Sequence, residues 1–154
     1  MMKPPLGGLK PYRDSLEKIS EISAEKGIKV CIENAHLSPF QVCEIIEDIP
    51  GLSITLDLGH ANIQIGNSGI LEFLDNYSER IGHLHIHDNH GVYDEHLIPG
   101  DGTLDYKAIM EKITDVEFQG FGILELNSDI DAENGIKKSL EFLLNIVSYH
   151  STCV

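Results

Sequence analysis

The sequence predicts an α/β protein built on a parallel sheet. Three observations carry this. Four short apolar runs rich in β-branched residues (IKVCIEN, LSITLDL, HLHIH and GFGILEL) recur along the chain, amphipathic helical stretches separate them, and each gap is long enough for a crossover helix. Such βαβ units join with right-handed connections. At 154 residues, one domain spanning 1–154 accounts for the whole length.

The elements follow in order. Residues 11–26 place Leu16, Ile19 and Ile22 at helical spacing and stop at Gly27, a C-terminal cap. IKVCIEN is too apolar for a half-exposed strand. Ser38-Pro39-Phe40-Gln41 reads as an N-cap with proline at the first helical position, opening a helix that runs to about Asp48. The pattern repeats with strand LSITLDL, a helix near LEFLDNYSERI, strand HLHIH, a helix near DYKAIMEKI capped by Asp105, strand GFGILEL and a closing helix from about Asp131 to Tyr149. Two architectures fit this order: an open doubly wound sheet, or a piece of a (β/α)8 barrel. No GxGxxG or GxxxxGK[ST] follows a strand, which weakens the nucleotide-binding form of the open sheet.

Composition narrows the functional classes. With 42% hydrophobic and 23% charged residues and no apolar run long enough for a bilayer, the chain has no expected membrane partner. MMKPPLGGLKPYRD lacks the apolar centre of a secretory signal, so a cytoplasmic location is expected. Cys31, Cys43 and Cys153 form neither a disulfide framework nor a CxxC pair and read as reduced thiols. A net charge of −14, with Lys137-Lys138 the only adjacent basic pair, argues against a nucleic-acid partner. The acidic excess reads as solvated surface.

The run HLHIHDNHGVYDEH, residues 83–96, holds five of the eight histidines. Alternate residues of a strand share a face, so His83, His85 and His87 point one way. The same parity puts Glu33, Asp57 and Glu125 at the carboxyl ends of the other three strands. A parallel barrel turns these positions toward its axis, so Glu33, Asp57, His85 and Glu125 are expected to converge. Three carboxylates in a small volume repel one another, and a divalent cation resolves the conflict. Manganese, magnesium, cobalt, zinc and iron all suit the set. His83 is expected to support the site from deeper in the interior; His87 and His90 are read as loop or substrate-side residues, and His36 and His150 as surface residues. His60, Asp94 and His96 form a second group, for another metal ion or for substrate hydroxyls. The PGDG at 99–102 is either a close backbone approach to a ligand or a plain turn.

IEN at 32–34, LDLGHAN at 56–62, HLHIHDN at 83–89, DEHLIPGDGTLDY from 94 and ILEL at 123–126 together resemble the xylose-isomerase-like superfamily of TIM barrels, which holds sugar isomerases and epimerases and apurinic-site endonucleases of the endonuclease-IV type. The resemblance implies a half-barrel, strands five to eight of eight, beginning with what would be the fourth helix. It implies Glu33, Asp57, His85 and Glu125 as metal ligands, Glu33 and Glu125 also as the catalytic acid/base pair, and His60, Asp94 and His96 on the substrate side, able to hold a second metal.

The function expected on this basis is a divalent-metal-dependent isomerase or epimerase of a small sugar or sugar phosphate, working through an enediolate. The alternatives are a catalytically incomplete half-barrel or metal-binding subunit, and an apurinic-site phosphodiesterase. Open strand edges imply a homo-oligomer, two halves forming one barrel, or a missing N-terminal half that is supplied by another chain or lost to truncation.

Overall fold

The computed structural model describes residues 10–150. Its elements alternate: α1 (Lys10–Glu25), β1 (Val30–Glu33), α2 (Pro39–Ile46), β2 (Leu52–Asp57), α3 (Leu58–Tyr77), β3 (Ile81–Ile86), α4 (Tyr106–Asp115), β4 (Phe121–Leu124) and α5 (Ala132–His150). The four strands are parallel and lie in the sheet in sequence order. An open doubly wound sheet reverses its strand order at a switch point, and this one does not. The architecture is therefore a segment of a (β/α) barrel.

Local chemistry explains the boundaries. α1 buries Leu16, Ser20 and Ser23, and the Ser20 hydroxyl donates to the Pro50 carbonyl. Gly27, at φ 65, ends the helix, with the Ile28 N–H returning to the Ser23 carbonyl at 2.9 Å. α2 opens with a full capping box: Ser38 accepts from the Gln41 N–H, and the Gln41 side chain accepts from the Ser38 N–H. The core lies between the sheet and its helices, where Ile46, Ile54, Leu56, Leu58, Ile70, Phe73 and Ile109 are closed to solvent. Phe73 and Tyr77 stack there, and Phe40 meets both rings edge-on.

α3 departs from the sequence reading. It begins at Leu58, directly after β2, and not near Leu71. Asp57 is both the last residue of β2 and the N-cap of α3, accepting from the His60 N–H at 2.7 Å. Glycines 59, 66 and 69 and a run of polar residues hide this first half from a periodicity test. At Gly66 the backbone leaves helical geometry (φ 67, ψ 176), so α3 is kinked. Gly59 is needed for packing: a Cβ there would lie 2.0 Å from the His87 ring. Gly59→Ala is expected to destabilise the protein by about 2–4 kcal/mol, since α3 or His87 must move. Urea unfolding checks it, and an unchanged midpoint would refute the packing account.

Among the described residues, no helix is long and apolar enough to cross a membrane. Cys31 and Cys43 are free thiols, and burial pushes the Cys43 thiol up to about 11, the opposite of what a reactive cysteine needs. His36 is exposed, as read from sequence. The expectations for Cys153 and for the side chain of His150 lie outside the described residues.

Candidate metal centre

The site is built at the carboxyl ends of the four strands. Asp57 is its floor and is fully buried. Asn34, also fully buried, braces it twice: its amide donates to the Asp57 carbonyl at 3.1 Å and its side-chain oxygen accepts from the Asp57 N–H at 2.7 Å. Gln64 in turn donates to the Asn34 carbonyl at 2.8 Å. Because Asn34 follows Glu33, the brace holds the ends of β1 and β2 in fixed relation. Sequence reasoning assigned Asn34 no role, and a lone polar residue after a strand offers no signal of one.

β3 lies in register with β2 such that Asp57 pairs with His85 and Thr55 with His83. His85 Nδ1 sits 3.2 Å from Glu125 Oε1, 3.5 Å from Asp57 Oδ2 and 3.6 Å from Glu33 Oε1. This nitrogen is buried and makes no hydrogen bond. The structure thus brings together the four residues expected to converge.

His60 joins them from the first turn of α3. Its Nδ1 lies 3.2 Å from Glu33 Oε1 and 3.6 Å from Asp57 Oδ1, while its Nε2 lies 3.1 Å from Asp94 Oδ2. The same Asp94 oxygen is 3.1 Å from His96 Nε2. His96 has an unusual backbone for a non-glycine residue, φ 50, and its Nδ1–H donates to the Glu125 carbonyl at 2.9 Å. That bond leaves Nε2 to face Asp94. Burial alone would lower the His96 pKa, but the bond to Glu125 and the charge of Asp94 outweigh it and raise the pKa.

His87 lies deeper than the sequence reading placed it. It was expected on the substrate side, yet its side chain is fully buried, stacked on His96 at 3.9 Å and 3.1 Å from Asp57 through Nε2. Tyr106 donates to its carbonyl at 2.7 Å. It is placed to orient Asp57, and its donor atom lies within 4.8 Å of those of His96 and Glu125, a further group able to hold a cation. Burial would raise the Asp57 pKa, but the His87 bond and charge, helped by the His60 N–H and ring, hold it below 3.8. His83 meets the His85 ring edge-on at 5.3 Å, and its pKa is lowered by burial and by His85. His90 pairs with Glu95 at 2.9 Å and closes the loop beside Asp94.

The PGDG turn is structural. Asp88 accepts from the Gly100 and Leu104 N–H groups at 2.9 and 3.2 Å, and a Cβ on Gly102 would lie 2.3 Å from Asp88 Oδ1. The loop wraps around a buried carboxylate, which accounts for Gly102, while Gly100 is required by its φ of 94 and by the Phe142 ring 2.7 Å from where a Cβ would lie.

The donor set fits a divalent cation. Donor atoms from Asp57, His85 and Glu125 lie within 4.8 Å of one another, as do those of Glu33, Asp57 and His60, and those of His60, Asp94 and His96. Separations of 3.2–3.6 Å between a bare imidazole nitrogen and carboxylate oxygens match the edges of a coordination shell. Without a cation, the buried His85 Nδ1 is left unsatisfied among carboxylates.

Comparison with known proteins identifies the fold family. The family described as xylose isomerase-like TIM barrel matches residues 3–146. An uncharacterized protein of Methanocaldococcus jannaschii is 34% identical over 143 residues, covering 87% of this chain and 48% of the relative. Fructoselysine 3-epimerase of Shigella flexneri is 33% identical over 124 residues, covering 73% and 44%. Among solved structures, a D-tagatose 3-epimerase-like protein superimposes with a TM-score of 0.78 at 32% identity, over 93% of this chain and 57% of the other. The chain spans about half the length of the curated relatives it matches.

Proposed function

Because this chain belongs to the xylose isomerase-like TIM-barrel family, we propose that its site serves a divalent-metal-dependent isomerase or epimerase of a small sugar or sugar phosphate. One observation carries the reading: the carboxylates around His85 differ in access. Asp57 is 0% exposed, whereas the Glu33 and Glu125 side chains are 35% and 34% exposed. Asp57 has no route to a substrate; the two glutamates do.

Glu33, Asp57, His85 and Glu125 would hold the cation. When bound, it supplies Lewis acidity that makes the carbon-bound proton beside a carbonyl easier to remove. The chain's own groups do the rest. Glu33 and Glu125 each turn Oε1 toward the histidines, so the second oxygen of each is the one placed for proton transfer. One glutamate takes the proton and the other returns it, with an enediolate of the substrate between the two steps. His85 and Asp57 position, and His87 keeps Asp57 ionised and aimed.

His60, Asp94 and His96 form the second group, for another ion or for substrate hydroxyls. His96→Ala is expected to halve the metal content per chain if the group holds its own ion, while His85→Ala empties the principal site. Elemental analysis of the purified protein reads both. Full metal content in both variants would defeat the metal assignments. Half-length coverage of the relatives favours a second reading, in which this chain carries the metal and the acid/base pair but turns over substrate only with the rest of a barrel.

A further inference from the structure

The carboxyl-end mouth of a barrel holds a phosphate by a Lys or Arg side chain, by the free N–H groups of a helix N-terminus, or by the N–H groups of a glycine-rich loop. Among the described residues none of these is open here. The segments that follow the strands, residues 34–38, 58–66, 87–105 and 125–131, contain no Lys or Arg. Lys107, in the first turn of α4, leans along its own helix toward Glu111 at 3.9 Å.

The helix N-termini are sealed from within. Asp57 caps α3, Asp105 accepts from the Ala108 N–H at 3.1 Å to cap α4, and Asp131 accepts from the Asn134 N–H at 2.9 Å to cap α5. Ser38 caps α2. The glycine loop is filled in the same manner: fully buried Asp88 accepts from the N–H groups of Asn89, Gly100 and Leu104. His90 spends both its ring and its backbone N–H on Glu95. Charge adds to this. A divalent ion in each group would offset Glu33, Asp57, Asp94 and Glu125, and Asp101, Asp129 and Asp131 would still stand exposed on the rim against an incoming phosphate.

We propose that the substrate of this centre is an uncharged, unphosphorylated sugar, and that the mouth loops turn sugar phosphates away. The inference rests on the reading of the site as a sugar isomerase or epimerase and narrows it. In TIM barrels a phosphate is frequently seated by the loops after strands seven and eight together with a helix N-terminus. The resemblance sets β3 and β4 in those places. Their loops are joined, the Asn127 N–H donating to the His96 carbonyl at 2.9 Å, and Asp129 and Asp131 follow directly where that seat would lie. On the same rim, Val92 and Tyr93, 64% and 74% exposed ahead of Asp94, offer apolar surface that suits the C–H face of a sugar ring.

Saturation-transfer NMR on the chain with Mg2+ present tests this, with D-fructose, D-ribulose and D-xylulose each paired with its terminal phosphate. The free sugars are expected to bind at least about tenfold more tightly than their phosphates. The gap should narrow in about 1 M salt, which shortens the reach of the rim charges. Asp129→Lys combined with Asp131→Ser, where serine keeps the α5 cap, should raise affinity for the phosphates at least about tenfold and leave the free sugars unchanged. Equal or tighter binding of the phosphates by the wild-type chain overturns the proposal and leaves the sugar reading standing. Binding of no probe defeats the sugar reading, and the proposal with it. A gap that responds neither to salt nor to the two substitutions also overturns the proposal, because charge is then not its cause.

Discussion

Glu125→Gln, assayed in D2O with a panel of ketoses, is expected to slow exchange of the carbon-bound proton by about a hundredfold to ten-thousandfold, the usual contribution of a positioned general acid or base. Glu33→Gln should do the same. Glutamine keeps a carbonyl oxygen where Oε1 faces His85, so each variant should retain more metal than activity. That split separates a proton-transfer role from simple ligation. If exchange is unchanged in both, the acid/base assignment fails; if exchange and metal fall together, the residues are ligands alone.

Asp57→Ala is expected to have the largest structural effect. It removes the N-cap of α3, worth about 0.5–2 kcal/mol, and leaves the buried His87 ring without its partner, a further cost of about 1–3 kcal/mol. The metal centre loses its floor at the same time. Asp57→Asn separates these effects, because asparagine caps helices as well as aspartate does and fills the same space. It should recover most of the stability in a urea titration while metal binding stays weak. Acid sharpens the comparison. The Asp57 pKa is held below 3.8 in the folded protein, so its charge stabilises the fold above that pH and the benefit is lost as pH falls through the folded-state value. The difference between wild type and Asp57→Asn should shrink below about pH 4. A difference that persists unchanged in acid would contradict the ion-pair account.

Strand parity made the principal quartet legible. Glu33, Asp57, His85 and Glu125 sit at strand ends, where a two-residue period assigns a face without any knowledge of tertiary contacts. His87 lies past the end of β3, where that period lapses, and its burial was not legible from it. The early start of α3 was illegible for a related reason. Its first turn is held by a cap from a metal-site residue and by glycine-to-imidazole packing, neither of which leaves an apolar repeat. Asn34 acts through two backbone bonds to a residue 23 positions away, a pairing that only the folded chain reveals. Asp94 lies within 3.1 Å of both His60 and His96, because the Asp88 wrap fixes the loop that carries them.

The kink in α3 has a mechanical consequence. Before Gly66, the helix is tied to the metal centre through Asp57 and His60. After it, Asn67 clasps the start of α4, donating to the Thr103 carbonyl at 2.9 Å and accepting from the Asp105 N–H at 2.7 Å. A straight helix would transmit any ångström-scale adjustment of the ligands along its length into that clasp. Gly66, in a backbone conformation that only glycine occupies comfortably, breaks the rod. The kink thus mechanically separates the half of α3 that carries His60 from the half seated on α4.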